Sequence, residues 1–278
     1  MNNSNVLIFG AGEMSNLLIK ELTFRNKKVL CVSDNRFGQI NNLSHNNLEV
    51  LSYEEILNQK LEVDTAIFAW KNSTRLMSDN HAVLNWLESR NFHANKRFHL
   101  SSSSVYIDFN APQNENCKVL EKNKKLELEN ILKEIALKKK SIHINLRISN
   151  VYGIDVSYGF IGALFNSIKH GSEISIFKNL SITRDYVHVH DVIYAIRMLL
   201  EVDTDMEVIN ISTGMGTTIS QILEIFAHKG FNFEDRIIIE DDSKIKKFSI
   251  LDCKNLSTLI DWRPSSVSHT LNTLLAIN

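Results

Sequence analysis

This chain of 278 residues contains few prolines and cysteines, and its formal net charge is only −1. Pro112 and Pro264 form no proline-rich linker, so composition marks no boundary between domains. Cys31, Cys117 and Cys253 are widely spaced, which excludes a disulfide framework and paired metal-ligand motifs. The 31 basic residues are balanced by 32 acidic ones, so no general electrostatic field would attract nucleic acid or anionic lipid.

Long apolar runs are also missing. No stretch approaches the length of a membrane span, and the N-terminal residues 1–5 lack the basic region of a signal peptide. We therefore expect a soluble, cytoplasmic protein that binds neither membranes nor nucleic acid. A hydrophobic content of 44% is enough for one large α/β domain, or for one with a smaller lobe.

Short apolar runs alternate with helical patterns in the first half of the chain. The runs without strict alternation predict buried strands at residues 6–9, 29–33, 65–69, 97–101 and 142–147. Between them, helical spacing predicts helices at residues 13–25, 73–89 and 118–139. This alternation predicts an α/β fold with a parallel sheet covered on both faces.

The pattern changes after Gly153, where the predicted elements become shorter. They are helices near residues 160–169, 191–201, 219–229 and 267–276, and extended segments near 173–177, 184–189, 208–212, 237–240 and 248–251. Asp191 precedes the second of these helices and is interpreted as its N-cap.

A glycine-rich turn, Gly10-Ala11-Gly12, follows the first predicted strand and opens a helix that contains Met14. The first glycine permits the sharp turn, and the second lets the backbone approach a pyrophosphate at the helix N-terminus. Ser15 stands where a third glycine usually allows close packing of helix on strand. The turn therefore predicts a dinucleotide site that includes Gly10, Ala11, Gly12 and Met14.

Asp34 follows the second predicted strand, about 20 residues beyond the glycines. A carboxylate there accepts hydrogen bonds from the ribose hydroxyls and repels a 2′-phosphate, which favours NAD over NADP. Arg36 keeps NADP open as an alternative, because its guanidinium could bind that phosphate. Asp34 could also be a simple turn residue.

Three segments in fixed order, residues 6–15, 146–153 and 183–192, resemble the extended short-chain dehydrogenase/reductases. The resemblance is to the NAD-dependent epimerase/dehydratase branch, which modifies nucleotide-linked sugars, and it runs over nearly the whole chain. It implies a Rossmann-type doubly wound parallel sheet with a small C-terminal substrate-binding lobe. The NAD-binding domain would cover residues 1–150 and the lobe mainly 151–278, with residues of about 187–212 returning to the Rossmann core.

The resemblance also implies cofactor and catalytic residues. Asp34-Asn35 is similar to the Asp-Asn pair of NAD-using epimerases, and Ser102, four residues before Tyr106, matches the serine that hydrogen-bonds the reacting sugar oxygen. Lys125, in a Lys-Leu-x-x-Glu-x-x-Leu pattern, matches the lysine that holds the nicotinamide ribose and lowers the pKa of the catalytic tyrosine.

The family's catalytic tyrosine has no counterpart here, because Glu121 stands four residues before Lys125. A carboxylic acid is ionised near neutral pH and is a poor proton donor unless it is strongly desolvated. Glu121 is therefore either an unusual acid or a helix-surface residue that pairs with Lys125 at spacing i,i+4. Tyr106 is the other candidate hydroxyl, although the family uses its equivalent structurally.

The resemblance places the substrate contacts in the second half of the chain. Asn150 matches a residue on the diphosphate side of the substrate, Phe177 the residue beside the nucleobase, and Arg184 the arginine that grips the diphosphate. A second arginine of the family is missing, and a lysine could replace it. The candidates are Lys244, Lys246 and Lys247.

His188 and His190 alternate along a predicted strand, which is one arrangement for a pair of metal ligands. No third ligand is evident in the sequence, so we predict no metal site.

The function that the resemblance implies is NAD-dependent redox chemistry at C4 of a nucleoside-diphosphate sugar. The protein would be a 4-keto-sugar reductase or a 4-epimerase in the synthesis of a surface polysaccharide, and a homodimer is one assembly that the resemblance allows. The alternative is a catalytically silent regulatory protein that binds NAD or a nucleotide-sugar with the same fold.

Overall fold

The computed structural model of the protein describes residues 5–33, 46–70, 81–108, 110–241 and 246–277. The strands in these ranges are β1 (Asn5–Phe9), β2 (Lys28–Val32), β3 (Leu48–Leu51), β4 (Leu61–Phe68), β5 (Phe92–Ser102), β6 (Ile142–Ile148), β7 (Asn150–Tyr152), β8 (Ile174–Phe177), β9 (Thr183–His188), β10 (Val208–Ile211), β11 (Gly216–Thr218), β12 (Ile237–Glu240) and β13 (Phe248–Ser249). The helices are α1 (Glu13–Phe24), α2 (Tyr53–Leu57), α3 (His81–Glu88), α4 (Lys124–Lys138), α5 (Gly159–His170), α6 (Val189–Leu200), α7 (Ile219–His228), α8 (Lys254–Leu259) and α9 (Val267–Ile277).

Seven strands form one sheet in the order β10-β6-β5-β4-β1-β2-β3. Strand β1 pairs in parallel with β2 on one side and with β4 on the other, and β3 and β5 extend the sheet in parallel outward from these two strands. The chain order therefore reverses at β1, which is the point where doubly wound sheets bind ligands at the carboxyl ends of their strands. The predicted Rossmann-type sheet is confirmed.

The chain divides into two compact units. Unit 1 comprises Met1–Val105, Val119–Arg147 and Arg197–Ile209, and unit 2 comprises Tyr106–Lys118, Ile148–Ile196 and Asn210–Asn278. The core of unit 1 contains an aromatic cluster in which Phe9 stacks on Phe68 with ring centroids 5.3 Å apart and also contacts Trp70 and Trp86. Phe9 and Phe68 are the last residues of β1 and β4, so this cluster packs the carboxyl ends of these two strands together.

Unit 2 contains two small sheets. One is built on β9, which pairs with β7, β11 and β13, and the other pairs β12 with β8 in parallel. The core of this unit includes Tyr152, Tyr186 and Phe226, with apolar residues of α5, α7 and α9 around them.

Several predicted boundaries were wrong. The predicted helix 118–139 begins only at Lys124, because Asn123 caps it. The helix predicted over residues 73–89 is described over His81–Glu88, and residues 73–80 of that prediction lie outside the described residues. Strand β3 and helix α2 were missed, since neither has a long periodic pattern. Asp191 lies inside α6, where its carboxylate accepts a hydrogen bond from the Ser265 amide at 3.0 Å, and is not its N-cap.

In the ranges that the structure describes, no helix has the length and apolar character needed to cross a bilayer.

Candidate functional site

The glycine-rich turn has the shape of a phosphate cradle. Gly10 has a φ of +103°, and a Cβ at this position would lie 2.7 Å from the Ala69 carbonyl oxygen, so a larger residue is excluded. Gly12 is the N-cap residue of α1 and has no side chain that could cap the helix, and a Cβ at Gly12 would meet nothing within 4 Å. The turn therefore lies at the positive end of the helix dipole, where an anion is favoured.

Of the remaining predicted cofactor residues, some lie within the described part of the chain and others do not. Ala11 and Met14 lie in and just after this turn and are half-buried, and Ser15 is buried where a third glycine was expected. Asp34 and Asn35 lie outside the described residues.

The Ser-rich segment and the start of α4 are tied together. The side chain of Asn123 accepts hydrogen bonds from the amides of Lys125 (2.9 Å) and Leu126 (3.3 Å), and its Nδ2 donates to the Ser104 carbonyl at 3.0 Å. Ser102, the last residue of β5, accepts a hydrogen bond from the Ser104 amide at 3.2 Å. Asn123 thus positions Lys125 relative to the turn that carries Ser102, a role that sequence reasoning missed although Asn is a common N-cap residue.

Lys125 lies in the first turn of α4 and is half-buried. Burial lowers the pKa of its ammonium below the ordinary value, because the charged form loses hydration. It is therefore a stronger acid than an exposed lysine.

A buried ion pair fixes α4 to the sheet one turn farther on. Arg147 donates to both carboxylate oxygens of Glu129, with the closest contact at 2.7 Å, and the Ser101 hydroxyl donates to the same carboxylate. All three residues are almost fully buried. Because Glu129 is one turn after Lys125 on the same helix face, the pair also restrains the helix start.

Two buried histidines, His99 and His143, lie on β5 and β6, the strands that also carry Ser101 and Arg147. His99 and His143 both contact the Asn145 Oδ1, at 3.0 and 3.2 Å. Burial lowers the pKa of each to about 4, and the neighbouring charge of Lys125 lowers that of His99 further. Both imidazoles are thus neutral near pH 7.

Glu121 does not lie on the helix that carries Lys125. It is exposed in the turn before α4, so the spacing i,i+4 does not bring the two side chains onto a common helical face. The interpretation of Glu121 as a helix-surface partner of Lys125 was wrong, because the Asn123 cap starts the helix two residues after Glu121.

Tyr106 is fully buried, and its hydroxyl donates to the Asn210 Oδ1 at 2.8 Å. Asn210 in turn donates through its side chain to the carbonyls of Gln113 and Asp252, and its amide donates to the carboxylate of Glu115. A phenol held in this way supports the loop 106–118 and is a poor candidate for proton transfer to a ligand.

Asn150 and Arg184 come from paired strands of unit 2, since Asn150 is opposite Tyr186 in the β7–β9 ladder. The Asn150 Nδ2 donates to the carbonyl of Asp185 at 2.9 Å. The buried carboxylate of Asp185 accepts hydrogen bonds from Ser149, Thr213 and the Gly214 amide, and burial nevertheless raises its pKa to about 6. Asp185 therefore holds this part of the fold together.

Arg184 is accompanied by Lys246. The Arg184 guanidinium donates to the carbonyls of Thr183 and Lys246. Burial lowers the pKa of both groups, the carboxylate of Asp108 raises both, and Arg184 further lowers that of Lys246. Lys246 is thus the lysine placed beside Arg184, whereas Lys247 uses its amide to bind Asp108 and Lys244 lies outside the described residues.

Phe177 ends β8 in the other small sheet of unit 2, where it is half-buried opposite Glu240. His188 ends β9, whereas His190 lies in α6, so the two do not alternate along one strand as predicted. Their ring centroids are 5.2 Å apart, but across the described part of the chain no group of three His, Cys, Asp or Glu side chains is arranged to hold a metal ion.

Comparison with known proteins adds to this geometry. Residues 67–212 match the sequence model of the NAD dependent epimerase/dehydratase family. A segment of 150 residues is 29% identical to dTDP-4-dehydro-6-deoxyglucose reductase of Escherichia coli, and this match covers 51% of the chain and 46% of the relative. The chain thus spans about half the length of this curated relative.

Solved structures resemble the whole chain. A mutant of UDP-glucuronic acid 4-epimerase from Bacillus cereus, in complex with a UDP-sugar analogue and NAD, has a TM-score of 0.80, 19% identity and 98% coverage of both chains. The dTDP-glucose 4,6-dehydratase of Bacillus anthracis, in complex with NAD, also has a TM-score of 0.80, with 17% identity and coverage of 98% and 96%. At these identities the similarity shows a shared fold.

Proposed function

Because this chain belongs to the NAD dependent epimerase/dehydratase family, we propose that it is an NAD-dependent oxidoreductase of nucleoside-diphosphate sugars. The proposed reaction is at C4, as a 4-keto-sugar reductase or a 4-epimerase, and it would serve the synthesis of a surface polysaccharide. The proposal assigns the cofactor mainly to residues 1–150 and the sugar nucleotide mainly to residues 151–278.

The glycine-rich turn fits the pyrophosphate of NAD. Gly10 leaves room that a Cβ would fill, and the N-terminus of α1, which begins after Gly12, would present backbone amides to phosphate oxygens. Ala11, Met14 and Lys125 would complete the described contacts, and Asp34 with Asn35 would hold the adenosine ribose. When bound, NAD supplies the capacity to accept or donate hydride at the sugar carbon.

The observation that carries the catalytic proposal is the Asn123 bridge between the Ser-rich turn and the start of α4. In the proposed site this bridge would hold Ser102 and Lys125 in a fixed relation. Ser102 would donate a hydrogen bond to the reacting sugar oxygen, and Lys125 would supply its proton. Burial lowers the pKa of Lys125 below its ordinary value, which makes it a stronger acid than an exposed lysine.

The residues of unit 2 favour a diphosphate as the anion recognised. Arg184 supplies a planar guanidinium, Lys246 a second positive charge, and Asn150 an amide beside them. Phe177 would stack on the nucleobase. The exposed carboxylate of Asp108 near both cations would be displaced towards solvent when phosphate binds.

The test combines ligand binding with turnover. Purified protein is titrated with NAD(H) and NADP(H), and its melting temperature is then measured with UDP-, dTDP-, GDP- and CDP-sugars. Net consumption of NADH with a 4-keto-sugar nucleotide would identify a reductase, and interconversion of sugars without net NADH change would identify a 4-epimerase. Absence of dinucleotide binding at millimolar concentration would overturn the proposal, and tighter binding of NADP would contradict the role given to Asp34.

Lys125→Met tests the assigned acid. Replacement should lower kcat by about 10²–10⁴-fold, the usual contribution of general acid catalysis. Glu121→Gln is the matched control and should retain activity, because Glu121 is exposed outside α4. A loss confined to Glu121→Gln would instead assign the proton to that carboxylate.

A second candidate function is a silent binding protein of the same fold. The observation that favours it is the burial of Tyr106 together with the exposure of Glu121, because neither of these two candidates then fits the role of a proton donor to a ligand. Such a protein would bind NAD and a nucleotide-sugar but show no turnover in wild type. Turnover that depends on Lys125 would exclude it.

A further inference from the structure

Arg97, an arginine for which the described residues offer no hydrogen-bond partner, lies in the interior of unit 1. Arg97 in β5 is fully buried, and among the described residues no hydrogen-bond partner is available to Nε, Nη1 or Nη2. Burial lowers its pKa only to about 10, so the guanidinium remains charged near neutral pH. A buried charge without a counter-charge is strongly destabilising, and native proteins pair such groups.

The surroundings of Arg97 do not neutralise it. The guanidinium carbon lies 5.1 Å from the centroid of the Phe92 ring, and this cation–π contact offsets only part of the lost hydration. The charge of Arg97 lowers the pKa of both Lys139 and His143, so the charged group that it acts on most directly, Lys139, is a second cation. Among the described carboxylates none raises the pKa of Arg97, and the nearby Glu129 is engaged by Arg147.

Further polar atoms in this region have no partner either. Ser141 stands between Lys139 and His143 in the chain, and its buried hydroxyl has no hydrogen-bond partner among the described residues. The same holds for the Nδ1 of His143, whose Nε2 contacts Asn145. The region thus combines a guanidinium fork and a hydroxyl, both of which can donate hydrogen bonds.

We propose that Arg97 is the centre of a binding site for a small inorganic anion of halide size, beside β5, β6 and the carboxyl end of α4. The class of ligand follows from charge and enclosure. The five N–H donors of one buried cation that has no hydrogen-bond partner among the described residues favour an anion, and the burial of Arg97, Phe92 and His143 favours a small one. Chloride is the abundant anion of this size.

The site is separate from the proposed NAD and sugar contacts. Arg97 precedes Ser102 by five residues of one strand, a distance of about 16 Å at the usual strand rise. The anion would fix the carboxyl end of α4 to the sheet, while Lys125 is at the opposite end of the same helix. The inference therefore does not depend on the proposed catalytic function.

The test measures thermal unfolding of the whole protein in potassium chloride and in potassium gluconate at equal ionic strength, since gluconate is too bulky to enter. Chloride should raise the melting temperature of wild type by on the order of 2–4 °C relative to gluconate. Arg97→Met, which removes the charge and retains the length, should abolish this difference. Lys138→Met is the control and should keep it, because Lys138 is an exposed cation of the same helix that pairs with Glu88.

Two results would overturn the inference: no chloride effect on wild type, or an equal effect on wild type and Arg97→Met. If Arg97→Met does not fold, crystals of wild type soaked in bromide decide the question. An anomalous peak within hydrogen-bonding distance of the Arg97 guanidinium supports the site, and density for water alone at that position refutes it.

Discussion

At the scale of single residues, the hydrogen bond of the Tyr106 hydroxyl indicates a structural rather than a catalytic role. The hydroxyl of Tyr106 donates to Asn210, which is itself the centre of contacts to Gln113, Glu115 and Asp252. Each of these contacts lies within unit 2, so the hydroxyl contributes to the packing of that unit. Its family counterpart was expected to be structural, and the geometry agrees.

Tyr106→Phe should therefore lower the free energy of unfolding by about 1–3 kcal/mol, because the buried Asn210 Oδ1 loses its donor. We expect kcat to change little. Urea unfolding and steady-state kinetics measure the two effects. Tyr194→Phe is the matched control, since its hydroxyl donates to the Asp261 carbonyl at 3.3 Å in an exposed position and should matter far less. A large loss of kcat in Tyr106→Phe without loss of stability would contradict the structural role.

The buried histidines predict the response of stability to acid. Burial lowers the pKa of His99 and His143 to about 4, whereas an unfolded histidine titrates near 6.5. Between these values the unfolded chain binds more protons than the folded one, so stability is full above about pH 6.5 and is lost as pH falls towards 4. Asp185, whose pKa is raised to about 6, acts in the opposite direction and offsets part of this loss.

His99→Asn should make the free energy of unfolding less dependent on pH. The measurement is urea unfolding of wild type and variant at pH 7, 5.5 and 4.5. The contribution of Asp185 is common to both proteins and cancels in the comparison. We expect the stability difference between wild type and variant to shrink on acidification by an amount on the order of a few kcal/mol. Parallel pH profiles would show that the pKa of His99 is the same in the folded and the unfolded protein.

At the scale of elements, the start of α4 matters most. Asn123 caps the helix and at the same time binds the Ser104 carbonyl, whereas an ordinary cap acts only on its own helix. The Glu129–Arg147 pair then restrains the next turn. The position of Lys125 thus depends on two contacts that lie on either side of it in the sequence.

Asn123→Ala should cost about 1 kcal/mol of stability, the usual cost of losing an N-cap, and should also lower kcat by misplacing Lys125. Thr218→Ala removes a cap of the same kind from α7 and serves as the control for lost stability. It should leave kcat unchanged. Thermal unfolding and steady-state kinetics of both variants give the comparison, and equal effects on kcat would reduce Asn123 to a generic cap.

At the scale of the whole molecule, the chain is expected to bind two different ligands through residues of different regions. Arg184→Ala should weaken binding of the nucleoside-diphosphate sugar by about 1.5–3 kcal/mol, because a charge-assisted phosphate contact is lost. Its affinity for NAD should not change. Isothermal titration with each ligand separates the two effects.

Arg236→Ala is a suitable control for that experiment, since Arg236 also belongs to unit 2 and donates to a backbone carbonyl, that of Ser167. It should leave both affinities intact. An equal loss of sugar-nucleotide binding in the two variants would mean that Arg184 acts through the fold rather than through contact with phosphate.

The sequence by itself determined the α/β class, the glycine-rich turn and most elements of the sheet. Each of these is decided by residues that are close together in the sequence. Apolar runs form β1 and β6, and the missing Cβ lets Gly10 adopt a positive φ. The short elements β3 and α2 escaped prediction because four or five residues carry too little periodicity.

Only the tertiary structure decided the roles of the candidate site residues. Sequence spacing put Glu121 beside Lys125, but the Asn123 cap, held by the distant Ser104 carbonyl, starts the helix after Glu121. Tyr106 and Asn210 are 104 residues apart, and nothing local to either predicts their hydrogen bond. Such contacts, and the buried charge of Arg97 that has no hydrogen-bond partner among the described residues, depend on how strands and helices that are remote in the sequence pack together. The information that decides them is therefore spread over the whole chain.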